Sequence, residues 1–367
     1  MQFKSLIYVT VLLALISLCQ SQASAQSTDT GPVVYVMTNA AEANSVLVYR
    51  RAPNGSLTLI QQIPTRGMVT GFTLDPLQSQ GSLSLSNDHK LLFAVNAGSG
   101  DFTAFAVTPG GLAFGSKAPS GGAFPVSVTA FGNLVYVLNQ LGIANVTGFT
   151  SDKAGHLRPI AGSSQELAGA ALAQPAQVSF TPDGKHLLVT EKGTDLIDIF
   201  NIREDGTTAA PATQKSSGHT PFGFAFGPSD NVIVSEAERR LPKEASASSY
   251  LLVSGDLQPV SPRVPNGQTA ACWITVTGHT AWVVNTGTSN ISSYEIGSGG
   301  TLTLLNPIAA STGPNTGPID LAASGKFVYV LKSGAGALAG YKVSGSTLVP
   351  IFSKAGLPLS IQGIAAQ

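Results

Sequence analysis

Charge is scarce in this sequence. Asp, Glu, Lys and Arg make up 11% of its 367 residues, 20 basic against 20 acidic, so the basic surface that nucleic-acid binding requires is missing. Cysteine is scarcer, with only Cys19 and Cys272 present. Histidine occupies five positions, of which His89, His156, His186 and His279 fall at turns of the repeats described below, while His219 alone precedes an innermost strand. A histidine-built zinc centre or a Ser-His-Asp triad needs imidazoles converging on one pocket. Neither a metal nor a cofactor is therefore expected.

Long apolar runs are confined to the first residues, where Lys4 precedes an apolar stretch over 6–18 and Ala23-Ser24-Ala25 fits a signal peptidase site. Residues 1–25 read as a leader, which makes the chain secreted or periplasmic. Leu18 stands where lipid attachment at Cys19 would need a small residue. Without the leader the balance is 19 basic to 20 acidic, Cys272 is the one thiol left, and no intrachain disulfide can form. No later run is long enough for a bilayer crossing, so no membrane span is expected.

Glycine and proline are plentiful, at 40 and 22 residues, which suits short strands joined by tight turns. One phrase recurs, an apolar strand-like run closed by a polar residue: VVYVMTN (33–39), LLFAVN (91–96), LVYVLN (134–139), LLVTE (187–191), VIVSE (232–236), AWVVN (281–285) and FVYVLK (327–332). The closing residues lie 57, 43, 52, 45, 49 and 47 positions apart. A second alternating run follows each copy, a weaker third follows most, and a run ending in a turn such as PDGK precedes most. Four antiparallel strands repeated seven times around an axis make an all-β, seven-bladed β-propeller. The first unit lacks its innermost strand, whereas LSIQGIAAQ (359–367) is such a strand without a unit. The last strand is thus expected to complete the first blade, making residues 26–367 one domain, expected as a monomer.

In such a fold the starts of innermost strands and the ends of the next strands share a face with the inter-blade loops, where ligands bind. This places Asn39, Asn96, Asn139, Glu191, Glu236, Asn285 and Lys332 in a ring of polar ends, beneath long loops at 65–81, 168–174 and 311–318. Glu191 and Glu236, in adjacent blades, are the candidate catalytic pair, because neighbouring carboxylates push each other's pKa apart; alternatively both cap strands and bond loop amides. Lys192 and Lys332 are candidate anion contacts, and Gln177 and Asn285 candidate substrate contacts. Trp273 is either a stacking platform or blade packing, and His219 either a base or a loop residue. Within EAERRLPKE (236–244), Arg239 and Arg240 either clamp a carboxylate or phosphate or pair with Glu238 and Glu244 in solvent.

The stretch VSFTPDGKHLLVTEKGTDLIDIF (178–200) resembles the corresponding blade of the seven-bladed lactonase family, which includes 6-phosphogluconolactonases and fungal carboxymuconate cyclases. TPFGFAFGPSDNVIVSEAE (220–238) resembles the blade after it, and the likeness runs through essentially the whole chain beyond the leader. The resemblance implies the propeller fold and lactone or cyclic-ester chemistry. It also implies histidines ahead of the fourth inner strand, where Gln174 and Ala176 stand, and an Arg-His pair at the start of the fifth, where Phe222 and Gly223 stand; Glu236 is retained. Without those cations a phosphosugar lactone is not the expected substrate. Two functions from different classes follow. One is a secreted lactonase-like enzyme acting on a small organic or sugar acid derivative, with Glu236 or Glu191 as base; the other is a non-catalytic propeller binding a protein, glycan or envelope component through its loop face.

Overall fold

The computed structural model describes residues 31–69 and 74–367; the leader expected at residues 1–25 lies outside them. Seven antiparallel sheets, one for each repeat, form the blades. Their innermost strands touch one another in an unbroken circle from blade 1 through blade 7 and back. Blade 4 shows the order from axis to rim: Pro175–Phe180, His186–Glu191, Leu196–Asn201 and Ala212–Lys215. No helix among the described residues is long and apolar enough to cross a membrane.

The repeated phrase forms the second strand of each blade, and its position explains its composition. A second strand packs neighbouring blades against both of its faces, so Leu91–Asn96 and Phe327–Lys332 are buried at every residue and read as continuous apolar runs. Rim strands such as Leu57–Pro64 retain one wet face and mix exposed with half-buried positions. Tyrosines on second and third strands tie blades together: the hydroxyls of Tyr136, Tyr294 and Tyr329 donate to the carbonyls of Gly206, Val264 and Gly55 in adjacent blades, at 2.6, 3.2 and 2.8 Å. Blade 3 departs from four strands. Its rim strand is split into Leu157–Pro159 and Gln165–Glu166, both paired to Asn145–Ser151. Between them the Ser163 hydroxyl replaces the backbone ladder, accepting from Gly148 N and donating to Gly148 O, each at 3.0 Å.

Closure is as the repeats predict. Ile364–Ala366 pairs antiparallel with Val33–Met37 as the innermost strand of blade 1. The join extends beyond the ladder, with Asn39 Nδ2 donating to Gln362 O at 2.6 Å and Ser360 Oγ to Thr38 O at 2.8 Å.

Near the axis several innermost strands begin with a β-bulge, at Pro125/Ser127, Pro175/Gln177, Pro221/Phe224, Ala271/Trp273 and Ile319/Leu321. A bulge turns one extra side chain out of the ladder, bringing Ala176, Phe222, Cys272 and Asp320 to the upper end of the channel.

Candidate functional site

The channel is not open. The segment 74–81, between the rim strand of blade 1 and the innermost strand of blade 2, crosses the axis and bonds to strands on several sides. Ser79 Oγ donates to Val126 O at 2.8 Å in blade 3, and Gln80 N to Ala176 O at 3.0 Å in blade 4. The Gln80 amide pairs with both backbone groups of Ile274 in blade 6, at 2.8 and 3.0 Å. Gln362 of the closing segment accepts from Leu77 N at 3.0 Å and donates to Ser79 O at 2.7 Å. Gly223 makes room for this plug: a Cβ there would lie 2.1 Å from Gln80 Oε1 and 2.8 Å from Cys272 O. The resemblance implied a large side chain at this place; in this chain the plug occupies the space instead.

Above the plug lies a cavity of about 210 Å³, lined on one side by Asp75, Gln78, Gln174 and Lys192 and on the other by Thr220, Phe222, Ala237, Arg240 and Cys272. Its lining holds one carboxylate and two cations. Asp75 accepts from Gln362 Nε2 at 3.0 Å. Burial raises its pKa to about 6, against the opposing pull of Lys192 and Arg240. The Lys192 ammonium donates to Gln78 O and, at 3.1 Å, to Pro175 O, and it stands 5.1 Å from the centre of the Phe222 ring. Burial lowers its pKa to about 8, with Asp75 pulling the other way. Arg240 is exposed and forms no ion pair among the described residues. The Cys272 thiol is pushed up to about 12 by burial and the Asp75 charge, which leaves it un-ionised and packed as an apolar group.

Backbone strain gathers here. Asp75, Gln78, Gln174, Thr220 and Arg240 all hold positive φ, between 44° and 60°, a conformation uncommon for L side chains. Glu238, Arg239 and Arg240 are consecutive left-handed residues, with φ of 47°, 52° and 60°. This turn separates the two arginines: Arg240 lines the cavity, while Arg239 bonds to Asp195 Oδ2 at 3.3 Å beside His219, whose Nδ1 lies 2.6 Å from the same oxygen.

The ring of polar strand ends is placed elsewhere. Asn39, Asn96, Asn139, Glu191, Glu236, Asn285 and Lys332 are all buried, because a second strand stands one strand out from the axis and its last side chain enters the seam beneath its own loop. There each makes hydrogen bonds within the fold. Asn96, Asn139 and Asn285 each donate through Nδ2 at 2.8 Å to the first residue of the following strand, namely Asp101, Asn145 and Asn290. Lys332 donates to Thr312 O at 3.3 Å. Glu236 accepts from Gly218 N at 2.8 Å and from the hydroxyls of Ser246 and Ser248 at 2.6 Å; burial raises its pKa despite these bonds. Glu191 accepts from Gly169 N at 3.0 Å and from the Thr194 hydroxyl. Neither glutamate lines the mouth cavity. Gln177 and Trp273 serve assembly: Gln177 bonds both backbone groups of Phe224 at 2.7 and 3.0 Å, and Trp273 Nε1 holds Ser79 O at 2.8 Å. Of the candidate catalytic and substrate-binding residues named from the sequence, Lys192 and Arg240 line the cavity.

Asp75 went unnoticed in the sequence because it belongs to no repeat. The available signal was the loop itself, since the 65–81 stretch is longer than a blade connection needs and carries one acidic residue, in Leu74-Asp75-Pro76.

Glu191 has a buried neighbour with a consequence for stability. Asp198 accepts from Ala168 N at 3.1 Å through one oxygen, and its other oxygen has no hydrogen-bond partner among the described residues. Burial first, then the adjacent Glu191 charge, raises its pKa to about 8. The folded chain thus keeps this proton to about pH 8, whereas an unfolded Asp loses it near 4. The resulting stabilisation is complete below that lower value and lost as pH rises toward 8. Asp198→Asn is expected to raise Tm by several degrees at pH 9 and little at pH 5; an equal shift at both, by scanning calorimetry, would contradict this assignment.

The sequence model described as lactonase, 7-bladed β-propeller, matches residues 24–166 and 132–241 of this chain. Among curated proteins, the 6-phosphogluconolactonases of Photorhabdus laumondii and Xenorhabdus nematophila are 31% and 29% identical to it over 101 residues. Those matches cover 28% of this chain and 30% of either relative, so the chain spans less than a third of the length of the curated relatives it matches. Among solved structures, the periplasmic gluconolactonase of Pseudomonas aeruginosa superposes with a TM-score of 0.70 at 17% identity, over 90% of this chain and 98% of that one. A candidate 6-phosphogluconolactonase of Bacteroides fragilis gives 0.71 at 18%, over 93% and 99%. At such identities the superpositions speak to the fold alone.

Proposed function

This chain belongs to the seven-bladed β-propeller lactonase family, and from that premise we propose that it hydrolyses the ring ester of a small lactone at the mouth of its plugged channel. The observation that carries the proposal is Asp75, the one carboxylate among the residues lining a cavity it shares with Lys192 and Arg240, which is large enough for one six-membered ring. In this reading Asp75 takes a proton from water as its oxygen forms a bond to the lactone carbonyl carbon. Lys192 and Arg240 stabilise the oxyanion that develops. When the ring C–O bond breaks, the Asp75 proton passes to the departing oxygen, leaving a hydroxyl and a carboxylic acid; the acid loses its proton to solvent, and the same cations hold the carboxylate. A base with a pKa near 6 is suited to this work at neutral pH.

A panel of δ- and γ-lactones, followed by acid release, tests the proposal. Hydrolysis by the wild type that survives in Glu191→Gln and Glu236→Gln supports the mouth assignment. Loss of catalysis in either glutamine variant that remains folded would return the base role to that glutamate.

The paired pKa shifts set a pH profile. Below about 6 Asp75 is protonated and cannot accept a proton, so kcat/KM is expected to rise through that value. Above about 8 Lys192 loses its charge, so kcat/KM is expected to fall again. Lys192→Met should abolish the alkaline limb and keep the acidic one; a flat profile from pH 5 to 9 in the wild type argues against both roles.

A further inference from the structure

The mouth cavity has an extension that the chemistry of a single ring does not require. Gln78 and Gln174 line both the mouth and a second cavity of about 320 Å³ beside it, whose other walls are Gln140, Leu141, Gly142 and Ala171. The two cavities adjoin at Gln78 and Gln174, the second lying on the side of blades 3 and 4. The geometry points to a ligand longer than one ring: a lactone, and its hydroxy-acid product, bearing a neutral glycosyl substituent that lies in this arm. For the lactone end this rests on the reading given above.

Three observations favour a sugar. First, the side-chain amides of Gln78 and Gln174 are exposed and make no hydrogen bond among the described residues, although both residues hold positive φ, at 50° and 44°. Each amide offers both donors and an acceptor, which is what recognition of hydroxyl groups uses. Second, Leu141 is half exposed and Gly142 has open space about its Cα, which gives an apolar surface for the C–H face of a pyranose between amides that reach its rim. Third, the arm contains no Lys, Arg or His. A phosphorylated or carboxylated extension would be desolvated there without a counter-charge, whereas the cations Lys192 and Arg240 remain at the mouth for the carboxylate made by ring opening.

The test compares glucono-δ-lactone with cellobiono-δ-lactone as substrates, and gluconate with cellobionate as ligands in titration calorimetry, on the whole chain. We expect the disaccharide member of each pair to be favoured by roughly tenfold or more, the scale of one or two added polar contacts. Two variants remove the preference by different routes: Ala171→Trp fills the arm, and Gln174→Gly deletes an amide while relieving its backbone. Both should bring the ratio close to one. Opening of gluconolactone with no gain for the disaccharide in rate or binding overturns the glycosyl assignment and leaves the lactone reading intact. Tighter binding of cellobionate with neither lactone opened supports the arm while removing the lactone reading. An undiminished preference in both variants, or a greater preference for an alkyl-substituted δ-lactone, also overturns the assignment.

Discussion

Replacing Asp75 by Asn is expected to lower kcat/KM for lactone hydrolysis between about a hundredfold and ten-thousandfold, the range removed with a positioned general base, and to leave the propeller folded. The isosteric amide keeps the shape of the plug, and its oxygen still accepts the 3.0 Å bond from Gln362 Nε2. What it loses is the capacity to take a proton from water. It also ends the opposing attraction that holds up the Lys192 pKa, so any residual rate should lose its alkaline limb at a lower pH than in the wild type. Because a buried carboxyl costs folding free energy when ionised, Asp75→Asn should melt at least as high as the wild type at pH 8. A variant that melts normally and retains wild-type kcat/KM would remove Asp75 from the mechanism.

Ending the chain after Leu359 is the second large perturbation. It deletes Ile364–Ala366, which completes blade 1, and leaves Val34 and Val36 without their antiparallel partners. It also removes Gln362, whose amide holds Leu77, Ser79 and Asp75 together. A ring interrupted at one blade exposes a flat, apolar strand edge, and the plug loses its anchor at the same stroke. We expect loss of well over about 4 kcal/mol of stability, the level that marks removal of a structural element and not of a single contact, seen as early, broad melting and aggregation. Gln362→Ala in the full chain separates the two effects: it keeps the closing ladder but leaves buried plug groups unpaired, at roughly 1–3 kcal/mol each. A truncated chain that melts like the wild type would show that closure contributes little.

Several features of the site explain why its assembly was only partly legible. Lys192 and Arg240 could be picked out because each follows a repeated strand end, and the repeat fixes which face those ends share. For Glu191 and Glu236 the repeat allowed two readings, a catalytic pair or strand caps bonded to loop amides, and the bonds from Gly169 N and Gly218 N are those of the second. A repeat does not fix a side chain's distance from the axis, and one strand's width separates a mouth residue from a seam residue. Gln177 and Trp273 sit at the axis as the pattern requires, yet their polar atoms are taken up by Phe224 of the next blade and Ser79 of the plug. Gly223, a departure from the family pattern, becomes intelligible only beside Gln80, 143 positions earlier in the chain.

By itself the sequence determined the number of blades, the strand order within them, and the join between the last strand and the first blade. Each of these follows from local periodicity: apolar runs of strand length, turn residues that reverse them, and an unpaired strand at either end of the repeat series. The closed channel, the gathering of Asp75, Lys192 and Arg240 around one cavity, and the burial of the strand-end carboxylates were decided by the tertiary structure alone. A non-repeating segment crosses the axis and bonds to strands distant in sequence, and no periodic pattern encodes which side chains a linker brings to a centre shared by seven sheets.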